Sequence, residues 1–135
     1  MSRYTNNAIY TIVRNAVKAQ YNSANITQTY SPTPSKFPTV FIREIGRFTP
    51  EEAVTFSNAQ DVYETTWEVQ VFSNVTSGAK EQAYAIMAIV KIAMRSLYFF
   101  ETTESPLDQT DKSIYCLMVR FRRRIGSGED MPGTI

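Results

Sequence analysis

Histidine is absent from this 135-residue chain, and cysteine occurs once, as Cys116. The commonest general base and the commonest metal ligand are therefore missing. Ser-His-Asp and Cys-His nucleophile systems are excluded, as are zinc sites built from cysteine and histidine. Cys116 has no partner for an intramolecular disulfide; in an apolar strand it reads as a small hydrophobe, with no imidazole to activate it. Glycine is scarce at five residues. Ser77-Gly78-Ala79-Lys80 has one glycine and no Ser or Thr after the lysine, so it is not a phosphate-cradling loop. No cofactor and no metal are expected. A net charge of +1 argues against a chain that coats nucleic acid, where affinity comes from neutralising many phosphates. No apolar run approaches the roughly 20 residues of a membrane span. Met1-Ser2-Arg3-Tyr4 leads into no apolar signal segment, so a cytosolic chain with no membrane partner is expected.

What remains for acid–base chemistry is carboxylates. Glu64 and Glu68 fall on one face of a strand, two side-chain steps apart and too far to share a proton; Glu51 with Glu52, and Asp108 with Asp111, lie in connections. A solvated face explains them better than a general acid and base or a hard-metal site. The chain is not expected to be an enzyme.

The aromatic supply is generous, with eight Tyr and eight Phe, and the length suits one domain. Residues 3–21 read as an amphipathic helix with Ile9, Ile12, Val13, Ala16, Val17 and Gln20 on one stripe. Residues 22–38 are rich in Asn, Ser, Thr and Pro, an extended connection long enough to lie against a neighbouring subunit. Residues 39–45 form a short strand ended by Gly46, and residues 47–61 are mixed, with Pro50-Glu51-Glu52 able to start a helical turn. Residues 62–72 give the clearest strand: Tyr63, Thr65, Trp67, Val69 and Val71 alternate with Glu64, Thr66, Glu68 and Gln70. Residues 79–98 read as a second helix, with Ala83, Ile86, Met87, Val90, Ala93, Met94 and Leu97 on its apolar stripe. Residues 101–112 read as a polar connection and residues 113–125 as the last strand.

The expected fold is α+β: a small, mainly antiparallel sheet with two helices packed on one face, in the order helix, strand, strand, helix, strand. Residues 1–125 form the domain, and residues 126–135 a loose tail ordered only by a partner.

The run Arg120, Arg122, Arg123, Arg124 is the one concentrated charge feature. On a strand, Arg120, Arg122 and Arg124 share one face and Tyr115, Leu117, Val119 and Phe121 the other. That face is either the wet side of an edge strand, where charge discourages pairing, or a docking surface for an acidic partner or passing DNA. On the docking reading, Arg122→Glu and Arg124→Glu leave the fold intact and block assembly. Tyr30, Phe48 and Phe56 in the long connections are further contact candidates, or fold back over the core; Glu64 and Glu68 complete the set.

Four stretches, taken in order, resemble one family. They are Phe37-Pro38-Thr39-Val40 running on to Glu44-Ile45; Thr66 through Asn74; Ser77-Gly78-Ala79-Lys80 leading into the second helix; and Asp111 through Arg124. Together they resemble the tail-completion, or tail-terminator, proteins of long-tailed bacteriophages, including those labelled minor capsid protein. The resemblance implies an α/β fold with a small sheet and two helices, assembled as a ring, commonly a hexamer, on the last ring of the tail tube protein. It implies a virion protein at the head–tail junction that stops tube growth and meets a head-completion or connector protein, with DNA passing through the lumen without sequence-specific binding. A head-side adaptor or stopper of similar size is the alternative within the virion. A small RNA- or ligand-binding α+β domain is the alternative of another class.

Overall fold

The computed structural model describes residues 6–31, 34–48 and 62–126, with the backbone alone for Asn6, Phe48, Val62 and Gly126. Within them the chain is α+β, with two helices and a five-stranded mixed sheet. The elements run α1 (Asn6–Gln20), β1 (Asn25–Thr27), β2 (Thr39–Phe48), β3 (Val62–Ser73), α2 (Ala79–Ser96), β4 (Phe100–Leu107) and β5 (Tyr115–Gly126). Across the sheet the strand order is β1-β2-β3-β5-β4. Every pairing is antiparallel except β1 with β2.

Alternation decides which side chains enter the core. On β3, Trp67, Val69 and Val71 are sealed from solvent; their β5 partners Phe121, Val119 and Leu117 lie beside them, with Val40 and Ile42 from β2. Both helices cover this face. Ile9, Val13 and Val17 of α1 join the same cluster as Ala83, Ile86, Met87, Val90 and Met94 of α2. At about 25 cal/mol per Å² of buried apolar surface, this layer is the main source of stability. Gln20, placed on the α1 stripe from its spacing, is exposed instead, on the rim of an open groove between the two helices, while Val17 in the same turn fills the core.

Two strands escaped the sequence reading. β1 lies inside the connection assigned to residues 22–38, and Tyr10 of α1 donates to its Ile26 carbonyl at 2.9 Å. β2 runs parallel beside β1, and a parallel neighbour demands a connection of about the length that separates Thr27 from Thr39. The segment thus lies partly against its own sheet. β4 occupies what reads as a polar connection, because Glu101, Thr102, Thr103 and Glu104 give no apolar alternation. It is an edge strand, and edge strands tolerate both charge and Pro106.

Gly46 does not end β2. The strand continues to Phe48 past an irregularity between Glu44 and Gly46. Gly78, by contrast, starts α2 with φ +91°, a conformation that favours glycine. The readings for residues 49–61, including Glu51, Glu52 and Phe56, and for residues 127–135 lie outside the described residues.

At the end of α2 the chain closes a Schellman turn. Tyr98 N–H donates to Arg95 and Phe99 N–H to Met94, at 2.9 and 3.0 Å. The left-handed position of this turn is filled by Tyr98, φ +66°, where glycine is usual.

Candidate functional site: the helix-free face of the sheet

The side chains that alternate away from the helices make one surface with two halves. At one end Phe41, Phe72 and Cys116 form a small apolar cluster, flanked by Phe37, Leu107 and Ile114. At the other end the residues are charged. In one cross-strand row Arg43, Glu68 and Arg120 stand side by side on β2, β3 and β5. Arg120 Nε donates to one Glu68 oxygen at 3.1 Å, and Arg43 meets the other at 3.4 Å. Gln70 adds a third donor to Glu68 at 3.0 Å. Four residues back along β3, on the same face, Glu64 is held by Arg122 at 3.6 Å and Arg124 at 3.4 Å.

This geometry corrects two readings. Glu64 and Glu68 are not a solvated pair; they are 8% and 4% exposed, covered by arginine stems that keep their guanidinium ends half in water. Nor is the arginine strand an edge. β5 lies between β3 and β4, so its charges do not serve to discourage edge pairing. The strand face itself is as expected, with Arg120, Arg122 and Arg124 on one side and Leu117, Val119 and Phe121 on the other.

Arg123 points the opposite way. Buried under the helix end, it donates to the Leu97 carbonyl at 2.6 Å, and its guanidinium lies 5.2 Å from the Tyr98 ring. It therefore caps the carbonyl end of α2, where positive charge complements the helix dipole. Sequence reasoning left it within the arginine run, although the period of two separates it from its neighbours. Arg122, on the open side, lies 5.4 Å from the ring of Phe100, which is 51% exposed.

The remaining candidates scatter. Tyr30 is exposed and meets Phe41 edge-on at 5.4 Å, so it belongs to the apolar half. Phe48 falls in β2 opposite Glu64. Asp111 does not join Asp108 in a metal site; it accepts the backbone N–H and hydroxyl of Ser113 at 2.9 and 2.7 Å. The Ser113 hydroxyl, then its N–H, holds the Asp111 carboxyl below its ordinary pKa. Among the described residues no group of His, Cys, Asp and Glu is placed to hold a metal ion, and no helix is long and apolar enough to cross a membrane.

A second charged set ties α2 to β4. Lys91 pairs with Glu104 and, at 3.5 Å, with Glu101, which also takes Arg95 at 2.5 Å. Burial alone lowers the Lys91 pKa, but the hydrogen bond to Glu104 and the two nearby carboxylates outweigh it and raise the pKa overall. A cleft of about 260 Å³ opens beside β1, lined by Asn25, Thr27, Thr39, Phe41 and Phe72. A groove of about 320 Å³ between the helices is lined by Ala16, Ile89 and Ile92.

No protein-family model matches this chain, and no curated protein is similar to it.

Proposed function

We propose that this chain is a non-enzymatic structural protein of a tailed bacteriophage virion, a tail terminator. It forms a ring, a hexamer in this reading, on the end of the tail tube. It stops tube growth there and joins the tail to the head-completion or connector protein, while DNA passes through the lumen without sequence-specific contacts. A head-to-tail interface whose rotation closes gives such a ring. If one face copies the tube interface and the other does not, growth ends at that layer.

The observation that carries this reading is the helix-free sheet face. It holds two buried carboxylates, Glu68 clamped by arginines of β2 and β5 and Glu64 by two arginines of β5, and leaves four half-exposed guanidinium groups on an ordered scaffold. Such a surface has the residue types of a contact site, since interfaces are enriched in arginine and aromatics. The four stretches that carry the family resemblance also fall together, on β2, β3, β5 and the start of α2.

A second reading is favoured by the cleft beside β1, whose hydroxyl and amide lining over two aromatic rings suits a small neutral ligand. Light scattering and negative-stain microscopy, with and without isolated tail tubes, separate the readings. The expected result is rings, or a cap at one end of the tubes. Attachment to the portal end of isolated heads instead identifies a head-side connector, and a monomer that meets neither tube nor head sinks both virion readings and leaves the ligand reading standing.

A further inference from the structure

We infer that the corner where β4 begins beside β5, formed by Phe100, Arg120 and Arg122 on the face opposite the described helices, is the docking point for an acidic, extended segment of a partner protein. The inference deepens the contact-surface reading above and rests on it only in treating this face as a site of protein contact.

Three observations converge on this corner. The first is charge. Among the described residues the open face carries four arginines against two glutamates, whereas the whole chain is at +1. Two copies of this face would repel one another, so the occupant is not the same face of a second subunit but something anionic. The excess is too small for a nucleic-acid track, where affinity scales with the number of phosphates neutralised. It suits a protein segment with two or three carboxylates.

The second is preorganisation. Arg120 and Arg122 each engage a glutamate through Nε, at 3.1 and 3.6 Å, so their distal nitrogens project from a fixed stem. They alternate along β5 at two-residue spacing, roughly 6.8 Å. Carboxylates on alternate residues of an extended partner repeat at the same distance. Holding the forks in place beforehand removes part of the ordering cost of binding.

The third is Phe100. It is 51% exposed, stands opposite Arg122 on the β4–β5 ladder, and its ring lies 5.4 Å from the Arg122 guanidinium. An exposed aromatic ring beside ordered arginines is the composition of a binding hot spot. β4 carries an irregularity between Glu101 and Thr103 and then Pro106, so recognition is by side chains and not by adding a strand to the sheet.

The test uses the full chain and a fluorescein-labelled hexapeptide of alternating glutamate and leucine, with oligothymidylate of similar length as the competing probe. We expect the peptide to bind, with NMR shifts confined to Phe100 and the open-face arginines of β5. Affinity should fall at least about tenfold as NaCl rises from about 50 to about 500 mM. Arg122→Gln and Phe100→Ala should each raise Kd at least about tenfold. Phe100 is half-exposed on an edge strand, so Phe100→Ala should leave the melting temperature nearly unchanged while binding is lost. No peptide binding, or shifts elsewhere, overturns the inference; so does oligothymidylate binding more tightly than the peptide. Capped tubes without peptide binding would sink this partner chemistry alone, and peptide binding without rings or caps would sink the terminator reading alone.

Discussion

Arg120 Nε donates to Glu68 across the β3–β5 ladder at 3.1 Å, while Arg43 on β2 takes the other oxygen of the same carboxylate. One buried anion thus fastens three neighbouring strands on the side opposite the two described helices. Removing it leaves two guanidinium groups facing one another. Glu68→Ala is expected to cost about 2 kcal/mol of unfolding free energy. Arg120→Ala, whose charged end is half in water, should cost less than about 1 kcal/mol. Urea unfolding followed by the emission of Trp67, the sole and fully buried tryptophan, measures both. Equal losses would contradict the unequal roles of anion and cation.

Charge reversal on β5 acts on stability as well as on assembly. Arg122 and Arg124 both hold Glu64, which is 10% exposed at its side chain, so Arg122→Glu or Arg124→Glu places a second carboxylate beside a nearly buried one. Each should lower stability by about 1–2 kcal/mol, in place of the intact fold expected from sequence. Arg122→Gln should cost under about 1 kcal/mol and is the cleaner probe of docking. Melting temperatures of the three variants decide this, and an unshifted Arg122→Glu would disprove the coupling to Glu64.

Arg123 should behave unlike its neighbours. Its guanidinium is buried and donates to the Leu97 carbonyl at 2.6 Å, satisfying the end of α2. Arg123→Ala is expected to cost about 2–3 kcal/mol, in the range for a buried hydrogen bond from a charged donor. Arg124→Ala on the open face should cost about 1 kcal/mol or less. Thermal unfolding of the pair measures the difference, and comparable losses would place Arg123 outside the capping role.

The two helices, β3 and β5 were legible because each buries one face against a single core, which stamps a clear period on the sequence. Trp67, Val69 and Val71 alternate, and Ala83 through Leu97 recur every three or four residues. β1 and β4 were not, because short or edge strands need no such period: β4 exposes most of its side chains. The arginine face was legible as a face, but its meaning was not. Whether Arg120 and Arg122 line an edge or the interior depends on β4 being inserted beyond β5, a long-range fact no local pattern carries. The same holds for Glu64 and Glu68, whose burial comes from arginines 25 to 60 residues away in sequence and not from apolar neighbours. Tyr98 gave no sequence signal, since nothing in its neighbours marks a left-handed turn.

Alkali should weaken the fold through two groups at the apolar end of the same face and the adjoining helix side. Burial, aided by the Glu68 charge, pushes the Cys116 thiol from 9.0 up to about 12. Burial, followed by the hydrogen bond with Tyr84, pushes the Tyr115 phenol from 10.0 up to about 12. Both groups keep their protons in the folded chain at pH values where the unfolded chain has lost them. The folded state then binds more protons, so stability is whole below pH 9 and falls as the pH rises towards 12. Urea unfolding at about pH 8 and about pH 10.5 should show that loss, and Cys116→Ala should make the decline shallower by removing one of the two groups. Native Cys116 should also resist a thiol reagent at about pH 8.5, where the unfolded chain reacts at once. Equal slopes for Cys116→Ala and the parent chain, or rapid labelling of the native protein, would show that the thiol is not held protonated by its surroundings.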